Sequence, residues 1–566
     1  MAFLRGGATM EDRLIKSYYE LAKEGARTQI SVDDIREGDG IVTYSAKLSA
    51  GGYDFIIEYS AQERRDITGL RIRCHIKGVP KSRKKDMDDG IMFCLALPID
   101  APLGCKWRFS IPSVGISRPR RFSYKKRVLQ QDSEAWGSIF GMYNCDKQVM
   151  YSIYRSSTLN DGIEVPRTMV PKTHDSSQMA ALGYEVVEKD RFNLMLSWPR
   201  TTAYYPLDGK NIDIVLDYSA YKTKAPTYAD GIFDAYIHLT DEVLDVSAES
   251  MRAERLELLK KAQERCGALY RDYEGMPEGF CGDNDVAGYG MNERNVKIAY
   301  FMAVTAGGNW VGVLDRMASF YASRCVTSTG FAYTKFDSAK DEPVLDFKGN
   351  YLLAMCQGVF DIFTAYKILK KKGINRPALL EQTRKFADYL VRIQNNDGSW
   401  YHAYDEYGNE AEAPMLEKLS IEQLQGTKKS GSEVPLCFMA RLAIYLESMG
   451  LNAKPYRDSA LKCAEYVLKN IVRFEMYIGG DPAYPSATQR DAAKFTLMGL
   501  YNTYDLTKDE KYLKGAVTAA KLFVVWNTKY TPCECIELYK LGLVTGEKYF
   551  IYATYFAYMD VDLELI

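Results

Sequence analysis

Only four of the 566 residues are histidine, and a single one, His402, falls in the second half of the chain. That scarcity speaks against a zinc site, which draws on clusters of histidine and cysteine. The twelve cysteines are scattered. Cys533 and Cys535 form a lone CxC, while Cys94, Cys356, Cys437 and Cys463 lie inside apolar segments, a pattern that suits reduced, buried thiols and a cytoplasmic setting. Neither sign of charge is in excess. With 73 basic and 74 acidic residues the net charge is −1, so there is no electrostatic footprint for nucleic acid or for an anionic membrane. No apolar run reaches the roughly 20 residues that span a bilayer. The opening MAFLRGGATMEDRLIKSYYE lacks the apolar core and small-residue cleavage site of a secretory signal. No motif recurs at a fixed period, which argues against a stacked solenoid. A DxDD proton donor and an aspartate-rich metal motif on a helix are both missing, which excludes the chemistry of terpene cyclases.

What remains is an ordinary globular composition, 47% hydrophobic and 26% charged, in a chain long enough for two cores. The two halves are made of different material. Residues 11–25 (EDRLIKSYYELAKEG) read as one helix. After Thr28 the pattern turns to two-residue alternation in GIVTYSAKLSA, YDFIIEYSA, GLRIRCHIKG, IMFCLALP, KWRFSIP, SIFGMY, QVMYSIYR, RFNLMLSWP and NIDIVLDYSAY. Such strands, separated by Gly, Asp and Asn turns, predict an antiparallel β-sandwich of roughly a dozen strands over residues 1–245.

Residues 246–566 have another rhythm. Amphipathic and almost wholly apolar helical segments alternate, about eleven in all, and the connections between them alternate long and short in phase. MRAERLELLKKAQERCGALYRDY (from Met251) is striped, VKIAYFMAVTA apolar, VGVLDRMASFYASR striped, YLLAMCQGVFDIFTAYKIL apolar, ALLEQTRKFADYLVRIQ striped and VPLCFMARLAIYL apolar. An apolar helix is surrounded by protein, and a striped one has a face in water. The alternation therefore predicts an inner and an outer ring. Every long loop leads into an inner helix, so all of them gather on one face of an (α/α)6-type helical toroid.

This order, a β-sandwich ahead of a helical toroid, resembles the six-hairpin glycosidase superfamily. QNNDGSW (Gln394 to Trp400), EGFCGDNDVAGYG (Glu278 to Gly290) and the stretch GGDPAYPSATQRDAAKFTLMGLYNTYDLTKDEKYLKGA (from Gly479) carry the resemblance, which covers the layout of most of the chain. It implies a carbohydrate substrate and either glycoside hydrolysis or β-elimination at a uronic acid. No cofactor or metal is required. A non-catalytic carbohydrate-binding toroid is the third reading.

Glycoside hydrolysis needs a proton donor and a second carboxylate. The long loops offer Glu278, Asp283 and Asp285; then Asp337, Asp341, Glu342 and Asp346; then Asp397, Asp405, Glu406, Glu410 and Glu433; and finally Asp481 and Asp491. Four are taken as catalytic candidates: Glu433, Asp491, Asp283 and Asp285. Asp283 and Asp285 also suit a turn cap or a calcium ligand set, and Asp397 suits the Asp-Gly turn of its motif. Glu433 opens an inner helix just ahead of Pro435, and the helix dipole there is expected to lower its pKa, favouring a base or nucleophile over an acid. Arg490 sits at the positive end of the next inner helix, where a cation is misplaced unless it meets an anion, either Asp491 or a substrate carboxylate. Trp400, Tyr401 and Tyr484 offer flat faces for sugar rings, and His402 and Glu406 complete the substrate-binding candidates. In the lyase reading, Tyr401 or His402 removes the C5 proton while Arg490 neutralises the carboxylate. Acids outnumber bases in these loops, which favours hydrolysis. In the first half, SRPRRFSYKKR (from Ser117) and EVPRTMVPKTHDSSQ suit acidic-sugar recognition at the cavity rim or the contacts of a homo-oligomer equally.

Overall fold

The computed structural model describes residues 15–38, 41–63, 69–81, 90–99, 107–110, 127–131, 139–160, 163–165, 181–187, 191–198, 204–243, 248–271, 280, 282–283, 286–290, 294–412, 428–429, 431–475, 489–526, 535–551 and 553. They fall into two compact units, Met1–Asp245 and Val246–Ile566.

The first unit holds two antiparallel sheets. One has the order Arg27–Gln29, Lys16–Leu21, Gly90–Ile99, Arg191–Trp198, Ala181–Val187, Arg127–Gln131. The other runs Asp34–Gly38, Ile41–Ala50, Tyr53–Glu63, Gly69–Pro80, Ile212–Lys224, Val149–Asn160, Ile139–Asn144, Trp107–Ser110. Two-residue alternation decides which side chains meet between the sheets: along Gly69–Pro80, Leu70, Ile72, Cys74 and Ile76 are buried while Arg71 and Arg73 are exposed. Gly90–Ile99 does not alternate because both of its faces are covered. Ile91, Phe93, Leu95 and Leu97 enter the main core, and Met92, Cys94 and Ala96 pack with Met195 on the reverse side.

The helix expected over residues 11–25 is corrected by this sheet. Lys16–Leu21 is a strand, paired antiparallel with Gly90–Ile99 so that Tyr18 faces Cys94 and Tyr19 faces Phe93. Helix-like spacing over so short a span yields to sheet pairing, where consecutive tyrosines pack well. A helix that the alternation did not reveal, α1 (Tyr228–Val243), closes this unit against the outer face of the second sheet, with Tyr228 edge-on to Tyr143 at 6.4 Å.

The second unit contains α2 (Ala248–Leu269), α3 (Asn295–Thr305), α4 (Trp310–Arg324), α5 (Leu352–Lys371), α6 (Pro377–Ile393), α7 (Glu433–Ser448), α8 (Lys454–Asn470), α9 (Gln489–Thr507), α10 (Glu510–Trp526) and α11 (Ile536–Thr545). α3 pairs with α4, α5 with α6, α7 with α8 and α9 with α10 across short turns, and α3, α5, α7, α9 and α11 also pack on one another in series, as do α4, α6, α8 and α10. This is an inner and an outer layer, the layout of an (α/α) toroid. Burial follows the layers. Eleven of the sixteen residues of α7 are buried, against six of seventeen in α8. α5 alone among the described helices has the length and mean hydropathy, 1.4, of a membrane span, and 78% of that stretch is buried inside the protein, as its inner position demands. α7 and α9 approach closely at Gly499, where a Cβ would lie 2.7 Å from Leu436 Cγ, so that Gly499 is level with Leu436. All nine described cysteines are free thiols, and all but Cys145 are buried.

Candidate active site on the long-loop face

The long connections are knitted together by their backbones. Gly282–Asp283 pairs with Val286–Gly288, which pairs with Lys335–Asp337 and through it with Glu342–Val344, so the first two loops share a small sheet. Asn350 and Tyr351 pair with Tyr404 and Ala403, joining the second loop to the third. Tyr333 Oη adds a hydrogen bond to Glu406 Oε2 at 2.8 Å. The first three long loops therefore lie on one face.

The Gln394–Trp400 turn is a clamp. Gln394 Nε2 donates to Gly398 O and Ser459 O, each at 3.0 Å, bridging to α8. Asp397 accepts from Ser399 N at 3.1 Å and from Lys429 Nζ at 2.6 Å. Partial burial works against its ionisation, but the bonds from Lys429 and Ser399 prevail and hold the carboxyl at about 2. Trp400 is wholly buried; its indole N–H donates to Leu390 O and its backbone N–H to Ser432 Oγ, both at 2.9 Å. The expectation that Trp400 stacks on a sugar is corrected: the ring is enclosed, and its indole and backbone N–H groups anchor the third loop to α6 and to the start of α7.

Tyr401 is half-buried, and its N–H donates to Tyr404 Oη at 2.7 Å. His402 is buried under the same loop. Its backbone N–H donates to Lys428 O at 2.8 Å, its carbonyl accepts from Leu352 N at 2.9 Å, and its ring meets Tyr351 edge-on at 5.5 Å. These bonds fix it at the start of α5.

Glu433, the first residue of α7, has no solvent exposure. Neither carboxyl oxygen has a hydrogen bond of normal geometry among the described residues. Burial pushes its pKa up to about 8, and the backbone N–H groups at the helix start pull the other way without prevailing. This overturns the expected direction. The dipole is worth about 0.3–2 kcal/mol, whereas enclosing an unpaired carboxylate costs several kcal/mol. At neutral pH Glu433 is a protonated acid.

Asp491, in the first turn of α9, stands 3.5 Å from Lys494 Nζ and remains partly exposed. The level of Gly499 against Leu436 sets Thr496 beside Glu433, so Asp491 is about five residues, some 7–8 Å, further toward the loops. Arg490 is in the same turn and Asp283 in the small sheet, but their side chains are outside the described residues, as are Asp285 and Tyr484 altogether.

The loop acids are less free than their number suggests. Asp337 pairs with Lys340 at 2.9 Å, Asp341 with Arg324 at 3.0 Å, Asp346 with Lys335 at 3.2 Å and Glu410 with Lys428 at 3.2 Å. Sequence reasoning passed over the buried charges of the inner helices: Arg294 donating through Nε to Asp361 at 2.9 Å, and Arg441 donating through Nε to Glu537 at 2.6 Å. The signal was there, since Asp361 is the one acid in its apolar segment and Arg441 the one charge in VPLCFMARLAIYL. Among the described residues no cluster of three or more His, Cys, Asp or Glu side chains is arranged to hold a metal ion.

No family model and no curated protein sequence matches this chain. Solved structures similar to it include a GH76 α-mannanase of Bacteroides thetaiotaomicron, 11% identical over 54% of this chain and 82% of that one, with a TM-score of 0.35. A polysaccharide lyase is 10% identical over 90% and 76% of the two chains, TM-score 0.36. An unsaturated glucuronyl hydrolase specific for heparin is 14% identical over 49% and 76%, TM-score 0.31. At such scores the fold rests on this chain's own helix order.

Proposed function

We propose that this protein hydrolyses a glycosidic bond, in an oligosaccharide containing uronic acid, with Glu433 as the proton donor and Asp491 as the companion carboxylate. The observation that carries the reading is the enclosure of Glu433: a carboxyl without solvent exposure or a hydrogen-bond partner among the described residues, at the loop-side end of an inner helix, where burial raises its pKa to about 8 and favours the protonated form at neutral pH. A glycosidase acid needs that state, and a partner carboxylate in a wetter setting supplies the base or nucleophile. Asp491, ion-paired and partly exposed one inner helix away, has such a setting. The six-hairpin resemblance of the helix order supplies the substrate class. Because Glu433 has no solvent exposure, the reading requires that substrate binding open a path to it.

The test is to incubate the protein with a panel of glycosides and uronate-containing oligosaccharides, following new reducing ends together with the ultraviolet absorbance of unsaturated uronates. Reducing ends without that absorbance are expected, and Glu433→Gln is expected to lose about 10²–10⁴-fold in rate. Absorbance rising in step with the reducing ends would assign β-elimination instead, and full turnover in both Glu433→Gln and Asp491→Asn would remove the assignment.

A further inference from the structure

Below the loop face, the inner helices bring together more positive than negative charge. Arg441 lies 4.8 Å over the Phe360 ring and the Lys367 ammonium 4.6 Å over the Phe363 ring. Phe360 and Phe363 are three residues apart on α5 and therefore share a face, so the two cations stand over successive turns of one helix. Lys494 on α9 and Lys540 on α11 border the same region, acting on Cys437 and Lys367 respectively. Lys494 already has Asp491. Against the remaining three cations stands the Glu537 carboxylate, whose Oε1 accepts from Arg441 Nε at 2.6 Å and from Asn502 Nδ2 at 2.8 Å while its Oε2 has no hydrogen bond to a described residue. Lys367 makes no ion pair or hydrogen bond to a described residue; burial, and then Arg441, push its pKa down to about 8.

We infer that the ring interior between Lys367 and Arg441 is a binding site for an organic carboxylate. Two neighbouring cations facing a single carboxylate are unfavourable in a low-dielectric interior, and a bound monoanion offsets the repulsion. Arg441 donates through Nε to Glu537, and a carboxylate placed between it and Lys367 would take one oxygen to each cation, as a two-oxygen acceptor can. Phe360 and Phe363 wall the site, which suits a carboxylate on a carbon skeleton better than a hydrated inorganic oxyanion. Access exists, since Lys367 is only half-buried and the Arg441 side chain retains 15% of its exposure. Arg441 is eight residues beyond Glu433, about 12 Å along the helix. The site therefore goes beyond the Glu433 reading, and its occupancy can be measured without turnover.

The test is calorimetric titration of the full-length protein with sodium glucuronate, sodium acetate, glucose and inorganic phosphate at constant ionic strength. Both carboxylates are expected to bind and glucose is not; glucuronate tighter than acetate marks an acidic sugar, and equal affinities mark a small free carboxylate. Lys367→Met should weaken carboxylate binding at least tenfold while leaving the anion-free melting temperature unchanged or higher, since it relieves repulsion; a purely structural lysine would lower it. A second measurement uses the wild type alone: acetylation of Lys367 near pH 8, mapped by mass spectrometry, should be slowed by glucuronate and not by glucose. Phosphate binding as tightly as the carboxylates, undiminished binding in Lys367→Met, or acetylation indifferent to glucuronate would each overturn the site.

Discussion

Replacing Glu433 by glutamine should make the helical unit more stable at neutral pH even as it removes the proposed acid. In the unfolded chain this carboxyl ionises near its ordinary value of 4.5, whereas in the fold it keeps its proton to about 8. Between those values the folded state binds one more proton than the unfolded state, so stability falls as pH rises across the window. The full shift corresponds to about 5 kcal/mol, of which about 3 kcal/mol is already lost at pH 7. Glutamine has nearly the same shape and no such proton, so the variant should match the wild type below pH 4.5 and exceed it by an amount that grows up to about pH 8. Urea unfolding followed by far-ultraviolet circular dichroism, at about pH 5 and about pH 8, reads the difference directly. With a slope of about 3 kcal/mol per molar urea, the midpoints should separate by about 1 M or more at the higher pH. Parallel pH profiles for the two proteins would refute the claim that Glu433 is enclosed and uncharged, and with it the proton-donor assignment. The gain also has a functional meaning: destabilising strain at a site is commonly what activity needs.

Trp400→Ala should cost about 3–5 kcal/mol in unfolding free energy, because it empties a buried site and orphans Leu390 O; unchanged stability with lost saccharide affinity would restore the stacking role. Arg294→Met should cost about 3–5 kcal/mol by leaving the Asp361 carboxyl buried without its ion-pair partner, and adding Asp361→Leu should recover most of that loss in a double-mutant cycle. Asp397→Asn should cost less than about 1 kcal/mol, since the carboxyl is almost half exposed and screened; its contribution is present above pH 3.8 and disappears as pH falls toward about 2, which acid titration of the unfolding midpoint will show. Gly398→Ala should cost about 1–3 kcal/mol, because φ is +93° and a Cβ there collides with Lys462 O; thermal melting measures it.

The fold was readable because both halves repeat a simple physical choice. Strands such as Gly69–Pro80 alternate, and helices such as α7 and α8 differ in how many sides are apolar, so layer and face follow from composition. Short segments were less readable. Lys16–Leu21 carries helix-like spacing but gains more from pairing with Gly90–Ile99, a partner some 75 residues away in the sequence. The site was legible in position and not in state. The place of Glu433 at a helix start followed from Gly431, Ser432 and Pro435, while its protonation depends on enclosure, which no local pattern records. Trp400 failed for the same reason, since an indole in a polar loop looks identical whether it faces solvent or Leu390. Arg441 and Glu537 could not be paired from the sequence, being 96 positions apart and on helices that meet only through the ring.

The sheltered thiols make this protein its own conformational clock. Among the described cysteines only Cys145 is within easy reach of an alkylating reagent in the native state. Modification of Cys74 would time excursions of the sandwich, and modification of Cys356, Cys437 and Cys463 would time those of the inner helices, so that one mass spectrum taken at intervals distinguishes a breathing sheet from a breathing ring.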